Sequence, residues 1–174
     1  MKEAYANMRE FWLDVRNLEN KNGIPTLGDD KICIAGVELC MLDNNNDPKN
    51  ILIAASVLGD ASMYFENNSK SGLGGFLGGG ADEASKELKS AAKNMLKEAA
   101  SRTKDMLPSI NILPPQEIPG KVTLFALSAD KGFYMHQDVN ILAKSNMPFH
   151  KFYAFSQQMI SAFRKQQEDT APSK

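Results

Sequence analysis

Residues 23–60 read GIPTLGDDKICIAGVELCMLDNNNDPKNILIAASVLGD. Two apolar, β-rich runs, 31–43 and 51–59, flank a polar turn made of Asn44, Asn45, Asn46, Asp47, Pro48 and Lys49. Asn and Asp side chains bond their own backbone and tolerate left-handed φ, and proline presets φ in a turn. The two runs therefore predict antiparallel strands folded back on each other. Between Ile32 and Leu42 both strand faces are apolar, so this piece is buried on two sides or contains a tight reversal. Gly36 is the natural reversal point, because glycine accepts the φ values a turn needs. The preferred reading is two short strands, 31–35 and 37–43, then a third over 51–59. Residues 60–66 extend that third strand or leave it.

Toward the N-terminus, residues 3–19 predict an amphipathic helix. Ala4, Met8, Phe11, Trp12, Val15 and Leu18 recur at three- and four-residue steps. Asn20, Asn22, Gly23 and Pro25 end it. Toward the C-terminus, NNSKSGLGGFLGGG (67–80) predicts a mobile loop of low complexity. It lacks the Gly-Lys-Ser/Thr of a P-loop and the register of a dinucleotide fingerprint. The longest predicted helix is 82–107. Ala84, Leu88, Ala91, Ala92, Met95, Ala99 and Met106 share one arc, at about 100° per residue. Lys86, Lys89, Lys93, Lys97 and Lys104 share a second arc, which reads as a solvated face or an anion-binding stripe. Pro108, Pro114, Pro115 and Pro119 break up the next segment, with 110–113 a short edge strand. The run 121–129 (KVTLFALSA) predicts a strand, Asp130-Lys131-Gly132 a hairpin turn, and 133–137 the return, with 139–143 continuing it. Asn146 and Pro148 open a last helix with Phe149, Phe152, Tyr153, Met159, Ile160 and Phe163 as its buried stripe. Residues 166–174 are expected to fray.

The expected fold is α+β: an antiparallel sheet of about five strands with helices packed against it, in the order α-β-β-β-α-β-β-(β)-α. Residues 1–165 form one domain, in which 67–80 is a Gly-rich loop and 108–119 a Pro-rich connector. At 174 residues the chain is long enough for a substantial core. Hydrophobic residues at 43% and charged residues at 24% fit a globular protein. A net charge of −1 gives the whole chain no pull toward nucleic acid or an anionic membrane. The N-terminal MKEAYANMREFW has no continuous apolar core and does not read as a signal peptide. No run is long enough to span a bilayer. The expected location is the cytoplasm.

Cys33 and Cys40 fit no zinc spacing and no Cys-x-x-Cys, and are expected to pack in the core in reduced form. If Gly36 turned the chain, the two thiols would face each other across a hairpin. His136 and Asp138 alternate onto one strand face, so a His/Asp pair is conceivable, but no motif ties a nucleophile to it. His136 and His150 are too few for a ligand set. These observations point away from an enzyme, with no catalytic residue, metal or cofactor expected.

The element order, with the run KICIAGVELCMLDNNNDPKNILIAASVLGD, resembles the CesT-type (class I) secretion chaperones of type III secretion systems. Cys33, the 44–49 turn and Val57-Leu58-Gly59 stand where that family has a strand cysteine, a polar turn and a small-apolar-Gly step. The segment KVTLFALSADKGFYMHQDVNILAKSNMPFHKFYAFSQQMISAFRKQ fits its strand hairpin and terminal amphipathic helix. The resemblance implies a non-catalytic homodimer that holds the N-terminal part of a secreted effector in extended form. The alternative is a small-molecule or nucleotide-binding α+β module of roadblock/profilin or YbjN-like type, using the Gly loop and the lysine stripe. For the first reading, the expected partner-binding residues are Phe11, Trp12 and Val15 on the helix and Ile32, Ile34, Leu52, Ile53 and Val57 on the strands. The expected dimer interface is Ala91, Met95, Ala99, Leu124 and Ala126.

Overall fold

The computed structural model describes residues 3–15, 18, 25–65, 75–79, 85–109 and 118–170. The elements are α1 (Glu3–Leu13), β1 (Ile34–Leu42), β2 (Pro48–Ser56), β3 (Ala61–Phe65), β4 (Gly75–Gly79), α2 (Lys86–Arg102), β5 (Leu107–Ser109), β6 (Lys121–Leu127), β7 (Gly132–Asp138), α3 (Val139–Leu142) and α4 (His150–Thr170). The strands form one antiparallel sheet of seven, in the order β4-β3-β2-β1-β6-β7-β5. The expected α+β class is what the chain adopts, with two more strands than the sequence showed.

The polar turn works as its residues require. The Asp43 carboxylate accepts the backbone N–H groups of Asn45 (2.8 Å) and Asp47 (2.9 Å), and Asn46 takes a left-handed φ of 62°. This closes the β1–β2 hairpin, in which Leu39 pairs with Ile51 and Ile34 with Ser56. In the β6–β7 turn the Ser128 hydroxyl accepts the Lys131 N–H at 3.1 Å and donates to Asp130 at 3.0 Å. Ser85 caps α2 by accepting the Leu88 N–H.

Side-chain alternation splits the sheet into two buried faces. On one face Val37, Leu39, Ile53, Met63, Leu124 and Ala126 meet α2 and α4, through Leu88, Ala91, Met95, Ala99, Phe152 and Met159. On the other face Ile34, Leu52, Ala54, Tyr64, Phe125 and Leu127 meet Tyr5, Trp12, Val15 and Leu18. The central strands carry apolar residues on both faces, apart from Glu38 and Thr123, because they are covered on both sides, which is the first of the two readings that the sequence left open.

The expected reversal at Gly36 does not occur. β1 runs unbroken through it, pairing Gly36 with Ala54 on one side and Phe125 on the other. Glycine is required here for space. A Cβ on Gly36 would lie 2.3 Å from Phe125 Cζ and 2.5 Å from the Ile53 carbonyl oxygen. With β1 straight, Cys33 and Cys40 are separated by about 23 Å of extended chain and cannot face each other. Both are buried, and neither is in a disulfide.

Other differences are local. Ala61–Phe65 is a separate strand made by the Ser56–Asp60 turn, where Gly59 has a φ of 96°. Part of the expected glycine loop, Gly75–Gly79, is instead the edge strand β4 paired with β3; residues 67–74 and 80 lie outside the described residues. α1 ends at Leu13 and α2 at Arg102, both earlier than expected. The expected edge strand at 110–113 lies outside the described residues, and the edge strand seen is Leu107–Ser109. Residues 139–142 turn into a short helix rather than continuing β7, because the Asp138 side chain caps it through the Asn140 N–H. α4 begins at His150, after Phe149 at a φ of 65°, and stays helical to Thr170. Among the described residues no helix is long and apolar enough to cross a membrane.

Candidate functional site

Among the described residues, three of the places with polar or exposed apolar chemistry bear on function. The first lies under α1. Glu38, in the middle of apolar β1, is fully buried. Arg9, from α1, is also buried, and its Nε stands 2.6 Å from one Glu38 oxygen, with Nη2 3.4 Å from the other. The Tyr5 hydroxyl donates to the same carboxylate at 2.8 Å. Tyr5 and Arg9 are four residues apart, so one face of the helix delivers both. Burial pushes the Glu38 carboxyl above the usual carboxylate range, against the pull of the Arg9 charge and of the hydrogen bonds from Arg9 and Tyr5. The polar row continues across the sheet. Glu38 pairs with Thr123, and Thr123 with His136, whose Nδ1 lies 2.9 Å from the Thr123 hydroxyl. The conceivable His136/Asp138 pair is absent. Asp138 instead accepts the Asn140 N–H at 2.9 Å and sits 3.5 Å from Lys121 Nζ. Those contacts, the backbone N–H first, hold its carboxyl below the usual range. His150 Nδ1 meets the Leu142 carbonyl at 2.8 Å.

The second place is an apolar rim at one end of the sheet. Met41 and Leu42, at the end of β1, are 54% and 51% exposed, and Ile118 is 62% exposed. The Gly120 N–H donates to the Cys40 carbonyl at 3.0 Å, which sets the turn carrying Ile118 beside the end of β1.

The third is a groove of about 510 Å³ between α2, residues 25–27 and the turn after β2. Leu27, Val57, Ala92 and Leu96 give it an apolar floor, and Lys89, Lys93 and Lys97 line one side. The lysine arc thus lines a concavity. The opposite wall is tied down. Leu27 and Ile32 exchange both backbone hydrogen bonds, and the Thr103 hydroxyl at the end of α2 donates to Asp30 at 2.6 Å.

The expected partner-binding residues do not form one surface. Trp12, Val15, Ile34 and Leu52 are buried under α1, while Ile32 and Ile53 are buried on the opposite face with α2 and α4. Strand alternation is the reason, since it sends Leu52 and Ile53 to different faces. Phe11 is 48% exposed and lies edge-on to Trp12, and Val57 is half-buried at the groove. The expected dimer residues are also interior. Ala91, Met95, Ala99, Leu124 and Ala126 meet each other and α4 within the one chain. The apolar surface that suggested a second subunit is covered by α4.

Sequence reasoning missed the Arg9–Glu38 pair and the rim. Glu38 as the lone acid in IAGVELCML was the visible signal, with Arg9 four residues after Tyr5 as its answer. Among the described residues no three His, Cys, Asp or Glu side chains gather as a metal site. No protein-family model, curated protein or solved structure matches the chain.

Proposed function

We propose that the protein is a non-catalytic chaperone or adaptor that binds an extended segment of a partner polypeptide, as the likeness to CesT-type secretion chaperones implied. In this reading it works as a cytoplasmic homodimer, and its partner is a secreted effector held by its N-terminal part. The observation that carries the reading is the apolar rim of Met41, Leu42 and Ile118. Single exposed apolar side chains are ordinary, but Met41 and Leu42, on opposite faces at the end of β1, and Ile118 beside them leave large apolar side chains uncovered at one end of the sheet, which is surface of the kind partners cover. An extended peptide crossing that end would place alternate side chains against the rim. The partner-facing residues of this proposal are therefore the rim and Phe11, in place of the buried strand positions.

The test compares tagged wild type with a Leu42→Lys/Ile118→Lys variant. Captured polypeptides are identified by mass spectrometry, and the fold of each protein is checked by circular dichroism. Both substitutions are at exposed positions, so the variant should fold. Loss of a specific polypeptide from the folded variant is the expected result. Capture of the same polypeptides by both proteins, or of none by the wild type, rejects the reading.

A further inference from the structure

We propose that the groove beside α2 is a binding site for an organic polyphosphate, with Lys89, Lys93 and Lys97 holding the phosphates and the apolar floor of Leu27, Val57 and Leu96 holding the organic group. The proposal is independent of the adaptor reading. Residues four apart on a helix stand one above another, about 6 Å apart along the axis. The three lysines therefore form a row along one side of the cavity. Such rows are usually interleaved with acids. Here no Asp or Glu stands three or four residues before or after any of the three. None of them is in an ion pair with a described residue, whereas Lys49, Lys121 and Lys131 each are. Asp60, which accepts the Ser56 hydroxyl at 3.4 Å, does not line the groove. The row consequently repels itself, and a ligand with several negative charges in sequence offsets that repulsion. Lysine suits phosphate as a compact point charge on a flexible stem.

Size and the pairing of an apolar floor with a basic side favour this occupant over an acidic peptide. A volume of about 510 Å³ falls among cavities that enclose small ligands. α2, residues 25–27 and the turn after β2 border this half-open groove. The walls are preformed. The Asp30–Thr103 hydrogen bond fixes the loop to α2, and the Val57 N–H donates to the Cys33 carbonyl at 2.9 Å. A base or ring on the floor and phosphates along the lysines uses both halves of the lining.

Isothermal titration calorimetry with ATP, and with inorganic tripolyphosphate as the arm lacking the organic group, tests this. Two variants of equal charge are compared: Lys89→Gln/Lys93→Gln/Lys97→Gln in the groove and Lys104→Gln/Lys144→Gln/Lys151→Gln on other exposed surface. ATP is expected to bind wild type one to one, about tenfold or more tighter than tripolyphosphate. The groove variant should lose about tenfold or more in affinity, and the control should keep it. Four outcomes overturn the proposal: no ATP binding at about 1 mM, equal affinity for ATP and tripolyphosphate, more than one ATP per chain, or equal weakening in the two variants.

Discussion

Glu38 is an ionisable group in the middle of a sheet, and its energetics depend on company. Taking an ion pair out of water costs about as much as the attraction returns, so such a pair adds little net stability. Removing one partner, however, leaves a buried charge uncompensated. Arg9→Met is therefore expected to destabilise the fold by about 3–5 kcal/mol in urea unfolding. Arg9→Met/Glu38→Leu should recover most of that loss. A double variant as unstable as the sum of the single ones would show that the two side chains do not act as a pair. The carboxyl also sets a pH dependence. Its folded value lies above its unfolded one, so the folded chain keeps this proton to higher pH than the unfolded chain does. The contribution is fully present below the ordinary carboxylate value and is lost as pH rises through the raised value. Wild type should thus lose stability relative to Glu38→Gln as pH rises from the ordinary carboxylate value through the raised one. A constant difference across that window would show that Glu38 titrates normally. The sequence displayed Glu38 as an oddity, but only the register of α1 over β1 shows that Arg9 and Tyr5 answer it.

Among the elements, β1 carries the tightest requirement. Gly36→Ala would drive a methyl group into the Phe125 ring and the Ile53 carbonyl, and overpacking of this kind costs about 1–3 kcal/mol or more. A melting temperature equal to wild type would mean that the two strands part easily. α2 is the other load, since it touches both sheet and α4. Met95→Ala removes a fully buried side chain and should cost about 2–5 kcal/mol. Element types were legible where composition and turn chemistry agreed. The Asn-rich turn, the 121–127 strand and the aromatic stripe of α4 are of this kind. Gly36 was misread because a glycine that permits a turn and one that permits a close approach look alike in sequence. The Gly75–Gly79 strand was misread for a related reason: its pairing with β3 needs no side-chain preference, so local pattern carries no trace of it.

For the whole molecule, the rim and the groove were illegible because each assembles residues far apart in the chain. Lys89, Lys93 and Lys97 were visible as a stripe, but only the folded loop at 25–27 makes them one wall of a cavity. The homodimer we propose has to use surface other than the interior Ala91, Met95 and Ala99. Light scattering at micromolar concentration is expected to give twice the chain's 19.2 kDa, and Met95→Ala should leave that mass unchanged while lowering stability. A monomer mass for wild type rejects the dimer, and a mass change in Met95→Ala returns that residue to the interface. The sheet order also bears on how the chain is made. β1 gains β2 across a single turn, but its other neighbour β6 comes only after β2, β3, β4, α2 and β5. Until β6 is synthesised, the most apolar strand has one open edge. Pairings of this kind close slowly, and an open edge can recruit another nascent chain. The yield of folded protein should therefore depend more on translation rate and chain concentration than its final stability suggests.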